Sequence, residues 1–203
     1  MSENDELKEH IKYTGESIKF FSNPNKQNRE IWVVNEFLKN FNIKFNSDEI
    51  KPVSDDPPDI IFRDARFEIK EILDKNRKRH KEYKEKLERA KKAKSKADLL
   101  EPYSPQKATI QEIADLIEEK LKNYIISPEL YSKIDMLFYV NLSSFGFDKE
   151  CCYSLGNKEI WEKWRSVSMV ENGNVNFVFY ADSTAPDYIR PNIGQFIRGN
   201  RNL

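Results

Sequence analysis

The sequence predicts an α/β (α+β) domain with a mixed central sheet flanked by helices. Three observations point there. The 203 residues suit one domain at roughly 100–200 residues per domain. Segments with apolar residues three to four apart alternate with short β-rich runs. One run, residues 134–142, is apolar almost throughout, as in a strand covered on both faces.

Phe20 and Phe21 close a short leading helix, and Ser22-Asn23-Pro24-Asn25 makes a turn. Ile31, Trp32, Val34, Phe37, Leu38 and Phe41 then form the apolar stripe of a helix over 26–41. A strand is expected near 43–45, followed by a loop holding Pro52, Pro57 and Pro58. Residues 59–63 and 66–72 read as two strands of a hairpin, with Asp64-Ala65 as the two-residue turn. From about 74 to 97 runs a long basic helix, packed through Tyr83, Leu87, Ala90 and Ala97. Pro102 and Pro105 break it. Thr109-Ile-Gln-Glu112 is a capping box opening a helix to about Tyr124. After the buried strand come a helix over 159–165, two strands over 167–171 and 175–181 joined by Asn172-Gly173-Asn174, and a short terminal helix around 185–198. The whole is read as one domain over 1–203, with a core at about 26–142 and an extension over 143–203.

Composition removes several function classes. Mean hydropathy is −0.77, and no stretch approaches the ~20 apolar residues of a membrane span. The polar, acidic first ten residues lack the pattern of a secretory signal, so export is not expected. Only Cys151 and Cys152 occur, adjacent, which fits neither a zinc site nor a disulfide framework; a reducing cytoplasm is expected, with both as small packed residues. His10 and His80 are too few for histidine-based metal or acid–base chemistry. No phosphate-binding glycine loop of either common kind is present. Chemistry must therefore rest on carboxylates, lysines and hydroxyls, and Ser143-Ser144 has no histidine to activate it.

Lys+Arg and Asp+Glu both number 34, yet the charge is segregated. Between Lys75 and Lys96 stand twelve Lys/Arg against Glu82, Glu85 and Glu88. That strip is either a solvated helix face or a surface that tracks phosphates, with Arg77, Lys78, Arg79, Lys81 and Lys84 as candidate contacts.

Within the hairpin, Pro58-Asp59 is followed after eight residues by Glu68-Ile69-Lys70. With Asp64-Ala65 as the turn, Asp59 faces Lys70 and Glu68 faces Ile61. Asp59, Glu68 and Lys70 then share one face, with the two carboxylates diagonal neighbours at about 7–8 Å between backbones. Two carboxylates and one carbonyl, that of Ile69, suit Mg²⁺, which takes hard oxygens and keeps several waters. A lysine beside them orients a water or holds developing phosphate charge, which makes this a phosphodiester hydrolysis site. Pro186-Asp187 lacks the following acid-x-Lys and reads as a helix start.

This arrangement resembles the PD-(D/E)xK nuclease superfamily, whose helix, three-strand meander, helix and strand match the order read here. The resemblance implies a restriction-endonuclease-like core, Mg²⁺ or Mn²⁺ as cofactor, and an acid from the leading helix in the metal site; Glu30 and Glu36 are the candidates. More narrowly, Arg29-Glu30-Ile-Trp32-Val33, the stretch from Pro57 to Glu68, Trp164-Arg165-Ser166-Val167-Ser168 and Ala185-Pro186-Asp187-Tyr188 resemble a small bacterial family catalogued under an endonuclease description, the domain of unknown function numbered 1780. On that resemblance Glu30, inside a matching stretch, is preferred to Glu36.

Other residues have plainer readings. Asp55 and Asp56 suit a solvated loop, Asp64 a turn, and Asp135 a structural place before the buried strand. Arg165 and Arg190 are candidates for phosphate, Arg165 alternatively for a salt bridge, and Trp164 for core. The leading expectation is a metal-dependent DNA endonuclease, with RNA as the other open substrate and a defence or restriction role fitting such a nuclease. Net neutrality favours a homodimer or a DNA-recruiting partner. Against it stand a nuclease-fold protein that binds nucleic acid without cutting, and an interaction subunit whose basic helix engages an acidic protein.

Overall fold

The computed structural model describes residues 3–54, 57–100, 107–143, 147–148 and 153–199. In chain order these form α1 (Glu3–Phe20), α2 (Lys26–Asn40), β1 (Ile50–Pro52), β2 (Ile60–Phe62), β3 (Ala65–Ile72), α3 (Arg79–Lys92), β4 (Ala108–Thr109), α4 (Ile110–Asn123), β5 (Asp135–Val140), β6 (Phe147–Asp148), α5 (Lys158–Glu162), β7 (Ser166–Glu171), β8 (Val175–Ala181) and β9 (Phe196–Ile197). Cys151, Cys152, Asp55, Asp56 and Ser144 lie outside the described residues.

The chain divides into two compact units, Met1–Arg29 with Lys75–Ser104, and Glu30–Asp74 with Pro105–Leu203. In the first, α1 packs on α3. Phe21 stacks on Tyr83 at 5.2 Å, the Arg79 guanidinium lies 3.8 Å over the Phe21 ring, and Lys96 pairs with Glu6.

The second unit is built on a seven-stranded mixed sheet in the order β1-β2-β3-β5-β7-β8-β9, flanked by helices. β3, β5 and β7 are parallel, and the outer pairs antiparallel. Central β5 is buried at all six residues, which accounts for its unbroken apolar run. The parallel register sets Glu68, Lys70 and Ile72 beside Met136, Phe138 and Val140, on one face. On that face α4 lays Ile110, Ile113, Ala114, Ile117 and Leu121, joined by Trp161 and Trp164. The opposite face holds Phe67 and Tyr139, against which α2 sets Phe37 at 5.7 Å and Trp32 at 5.5 Å. Each such buried large side chain contributes about 1.5–3 kcal/mol.

Two local devices match the sequence directly. Thr109 accepts from the Glu112 N–H while Glu112 accepts from the Thr109 N–H, closing the capping box of α4. Between β7 and β8, Asn172 and Gly173 both take positive φ. Position 173 favours glycine because of its φ of 74, and a side chain there would also press on Trp32 and Glu36 at 3.2 Å.

Four expectations are corrected. Instead of a strand near 43–45, α2 ends in a left-handed Asn42 (φ 54), with Ile43 N–H bonding back to Leu38 O and Asn42 N–H to Lys39 O. This stop turns the chain away, and the first strand forms later, at Ile50–Pro52. The hairpin turn is Arg63-Asp64 rather than Asp64-Ala65, since Phe62 pairs with Ala65. Arg63 takes φ 53 there, held by its bonds to Glu49 and the Lys44 carbonyl, both at 2.9 Å. The basic helix begins at Arg79, not 74, after a turn with Asn76 at φ 67, and ends at Lys92. No helix spans 185–198: Pro191 removes a donor, Gly194 takes φ 75, and the chain enters edge strand β9.

Candidate functional site

β2 and β3 supply the charged cluster. Register pairs Ile60 with Phe67, so counting on by one sets Asp59 across from Glu68. The turn shift moves the register by two residues, which preserves the face of every side chain. Asp59, Glu68 and Lys70 therefore share a face, as read, but the carboxylates are direct rather than diagonal neighbours. The Asp59 Oδ2 accepts the Ile69 N–H at 2.9 Å. The same count sets Pro58 across from Ile69; lacking an N–H, Pro58 has no donor to give to the Ile69 carbonyl.

Glu68 is fully buried and its two oxygens differ. Oε1 accepts from Lys70 Nζ and from the Tyr124 hydroxyl, each at 2.5 Å. Oε2 is buried with no hydrogen-bond partner among the described residues. Burial, and then the Asp59 charge, push the Glu68 carboxyl above the ordinary glutamate range, against the Lys70 and Tyr124 hydrogen bonds. The Lys70 side chain keeps 30% of its surface exposed, and its ammonium lies 4.2 Å over the Tyr124 ring. Tyr124, at the C-cap of α4, stacks at 6.0 Å on fully buried Trp164.

Among the described residues no three or more His, Cys, Asp or Glu side chains are arranged as a metal cage. The pair still suits a hard cation. Glu68 Oε2 is a buried acceptor without a donor among the described residues, the Asp59 charge acts on the same carboxyl, and Mg²⁺ characteristically uses one or two carboxylates plus waters. Asp59, Glu68 and the Ile69 carbonyl are the groups that would hold it.

Glu30 and Glu36 ride on α2, which packs on the sheet face opposite to Glu68 and Lys70. Glu36 pairs with Lys39 at 2.9 Å and lies at the Gly173 turn. Arg165 forms the salt bridge of its alternative reading, as a structural clasp: it pairs with Asp135 through Nε at 3.0 Å and through Nη2, and its Nη2 donates to the Asp64 carbonyl at 2.9 Å. Ser166 Oγ and the Arg66 N–H complete the shell of the Asp135 carboxylate. Arg190 pairs with Asp187.

The basic strip is partly self-neutralised. Glu82 takes Arg77 and Lys86, Glu88 takes Lys91, and Lys81 approaches Glu85 at 3.6 Å. Arg79 is buried on Phe21. Lys78 and Lys84 are exposed and form no ion pair among the described residues.

Tyr124 is the residue that sequence reasoning passed over. It stands 56 positions from Glu68, and only its place at the end of an amphipathic helix packed against the motif strand's neighbour signals it.

No helix among the described residues is long and apolar enough to cross a membrane. No curated protein matches the chain. A solved structure, that of PA4535, a protein of unknown function from Pseudomonas aeruginosa strain PAO1 described under a monooxygenase superfamily, is 25% identical with a TM-score of 0.64, covering 98% of this chain and 96% of its own. Residues 2–202 match the family described as "Putative endonuclease, protein of unknown function (DUF1780)", and the chain belongs to that family.

Proposed function

We propose that this chain is a Mg²⁺- or Mn²⁺-dependent endonuclease that hydrolyses phosphodiester bonds of DNA, with Asp59 and Glu68 as cation ligands and Lys70 as the catalytic lysine. One observation carries the reading: Glu68, whose carboxyl feels the Asp59 charge, keeps one buried oxygen without a donor among the described residues, while its other oxygen holds the lysine of the motif. The family's endonuclease description supports a nucleic-acid substrate. The order of elements, with a hairpin carrying PD and ExK, supports the PD-(D/E)xK resemblance.

A divalent cation bound there supplies a water of lowered pKa and neutralises phosphate charge. Asp59, anchored on the Ile69 N–H, and buried Glu68 would hold it. Lys70 presents a compact charge at the solvent side of the pair, where it stabilises developing charge on a phosphoryl oxygen or orients the attacking water. Glu30 and Glu36 are not needed for this core. Lys78 and Lys84 add sequence-independent attraction for phosphates. Cutting both strands takes two such sites, hence a second copy or two successive nicks.

The test is cleavage of supercoiled and linear DNA, and of RNA, in Mg²⁺, Mn²⁺ or EDTA, with Asp59→Ala and Lys70→Ala alongside. Metal-dependent nicking of DNA lost in both variants is expected. Salt-sensitive binding without cutting in any metal would overturn it in favour of a non-catalytic binder.

A further inference from the structure

We infer that Tyr124 is a positioning residue of this reaction, assigning the two oxygens of Glu68 to different partners; the inference rests on the endonuclease reading above. Its hydroxyl donates to Glu68 Oε1 at 2.5 Å, the same oxygen that receives Lys70 Nζ, and its ring lies 4.2 Å beneath that ammonium. One side chain thus touches both halves of the motif. Neither group engages Oε2, which stays buried and without a donor among the described residues.

The consequence follows from what Glu68 and Lys70 are able to do without it. A carboxylate has two equivalent oxygens and turns about its last bond, whose torsional preference is broad. Lysine is a point charge on a flexible stem with many rotamers. Together they allow the ammonium to bridge both oxygens and compete with a cation for Oε2. A second donor on Oε1 and an aromatic floor under Nζ remove that arrangement. Tyr124 is itself held: its N–H bonds back to Leu121 O at the end of α4, its ring stacks on Trp164, and Tyr131 packs edge-on to Trp164 at 4.7 Å. The positioning is therefore set by the apolar core rather than by solvent-exposed groups.

Tyr124→Phe keeps the ring and the stack and removes only the hydroxyl; Tyr124→Leu removes both. Mn²⁺ titrated alone into the full chain, followed calorimetrically, measures the ligand pair without turnover. The expected result is Mn²⁺ affinity about tenfold weaker in Tyr124→Phe and weaker again in Tyr124→Leu. On supercoiled DNA, Tyr124→Phe should lose about ten- to hundredfold in kcat, the scale of one hydrogen bond to a charged group, with KM for DNA unchanged. In a Lys70→Met background the Tyr124→Phe effect on Mn²⁺ affinity should largely vanish, because the competing ammonium is gone. A residue that only props up the fold would lower the unfolding midpoint without this kcat-only loss or this dependence on Lys70. Wild-type Mn²⁺ affinity in Tyr124→Phe, or an effect equal in both backgrounds, overturns the positioning role while leaving the endonuclease reading standing. Absence of Mn²⁺ binding in the wild-type chain overturns both.

Discussion

Asp59 Oδ2 accepts the N–H of Ile69, so the first carboxylate of the pair is tied to the backbone of the one residue that separates Glu68 from Lys70. Chemistry and local structure meet in a single bond. Asp59→Asn retains an amide oxygen able to accept that N–H and should keep the fold, at a cost of about 1 kcal/mol. Asp59→Ala strands a buried donor and should cost about 1–3 kcal/mol. Urea unfolding separates the two variants, while metal-dependent nicking should be lost in both.

Glu68 should make the protein less stable as pH rises. Its carboxyl is held above the ordinary range by burial first and by Asp59 second, so the native state binds its proton more tightly than the unfolded chain does. That stabilisation is full below the unfolded value of about 4.3 and is lost as pH climbs through the folded value. In EDTA, the unfolding free energy of Glu68→Gln should lack this fall and exceed that of the wild type at neutral pH, while metal-dependent nicking of DNA by the variant should be lost. A variant less stable than wild type at pH 7.5 would contradict the burial argument.

The Arg165–Asp135 pair is buried, with Asp135 at 1% exposure, and also anchors the Arg63-Asp64 turn through the Asp64 carbonyl. Removing one partner leaves an uncompensated charge. Arg165→Met should cost about 3–5 kcal/mol in chemical denaturation, and Arg165→Lys most of that, because lysine cannot reproduce the two-pronged contact. Replacing both partners, as Arg165→Met with Asp135→Leu, should recover much of the loss.

Cations of the basic strip should divide into two classes. Lys78→Ala and Lys84→Ala should each weaken DNA binding uniformly across sequences and reduce the slope of log affinity against log salt by about one. Arg79→Ala should leave that slope unchanged and lower stability, because its guanidinium is buried against Phe21. Fluorescence anisotropy over a salt series distinguishes them.

Much of this was legible where local chemistry decides the outcome. The Thr109 capping box, the Asn172-Gly173 turn and the buried strand around Phe138 each follow from a few adjacent residues. The Asp59, Glu68 and Lys70 face was legible too, because alternation along a strand survives a two-residue register shift. The register itself was not: the turn is set by Arg63 reaching Glu49 and Lys44, and by Arg165 reaching Asp64 from 101 residues away. Nor was Tyr124, whose relation to Glu68 exists only after α4 packs on the sheet. Arg79 could not be told from its lysine neighbours by charge alone; only the partner ring reveals it.

The outer strands of the seven-stranded sheet have a bearing on assembly. β1 is three residues long and ends in Pro52, while β9 is two residues long. Neither offers more than a few open N–H and C=O groups, so both margins are blunted against pairing with another chain. Two copies brought together to break both strands of a duplex would therefore gain little from pairing through β1 or β9, and contacts between side chains would carry the meeting. Their spacing on the duplex would then be set by surface residues, which can vary without disturbing the strands that carry Asp59 and Glu68.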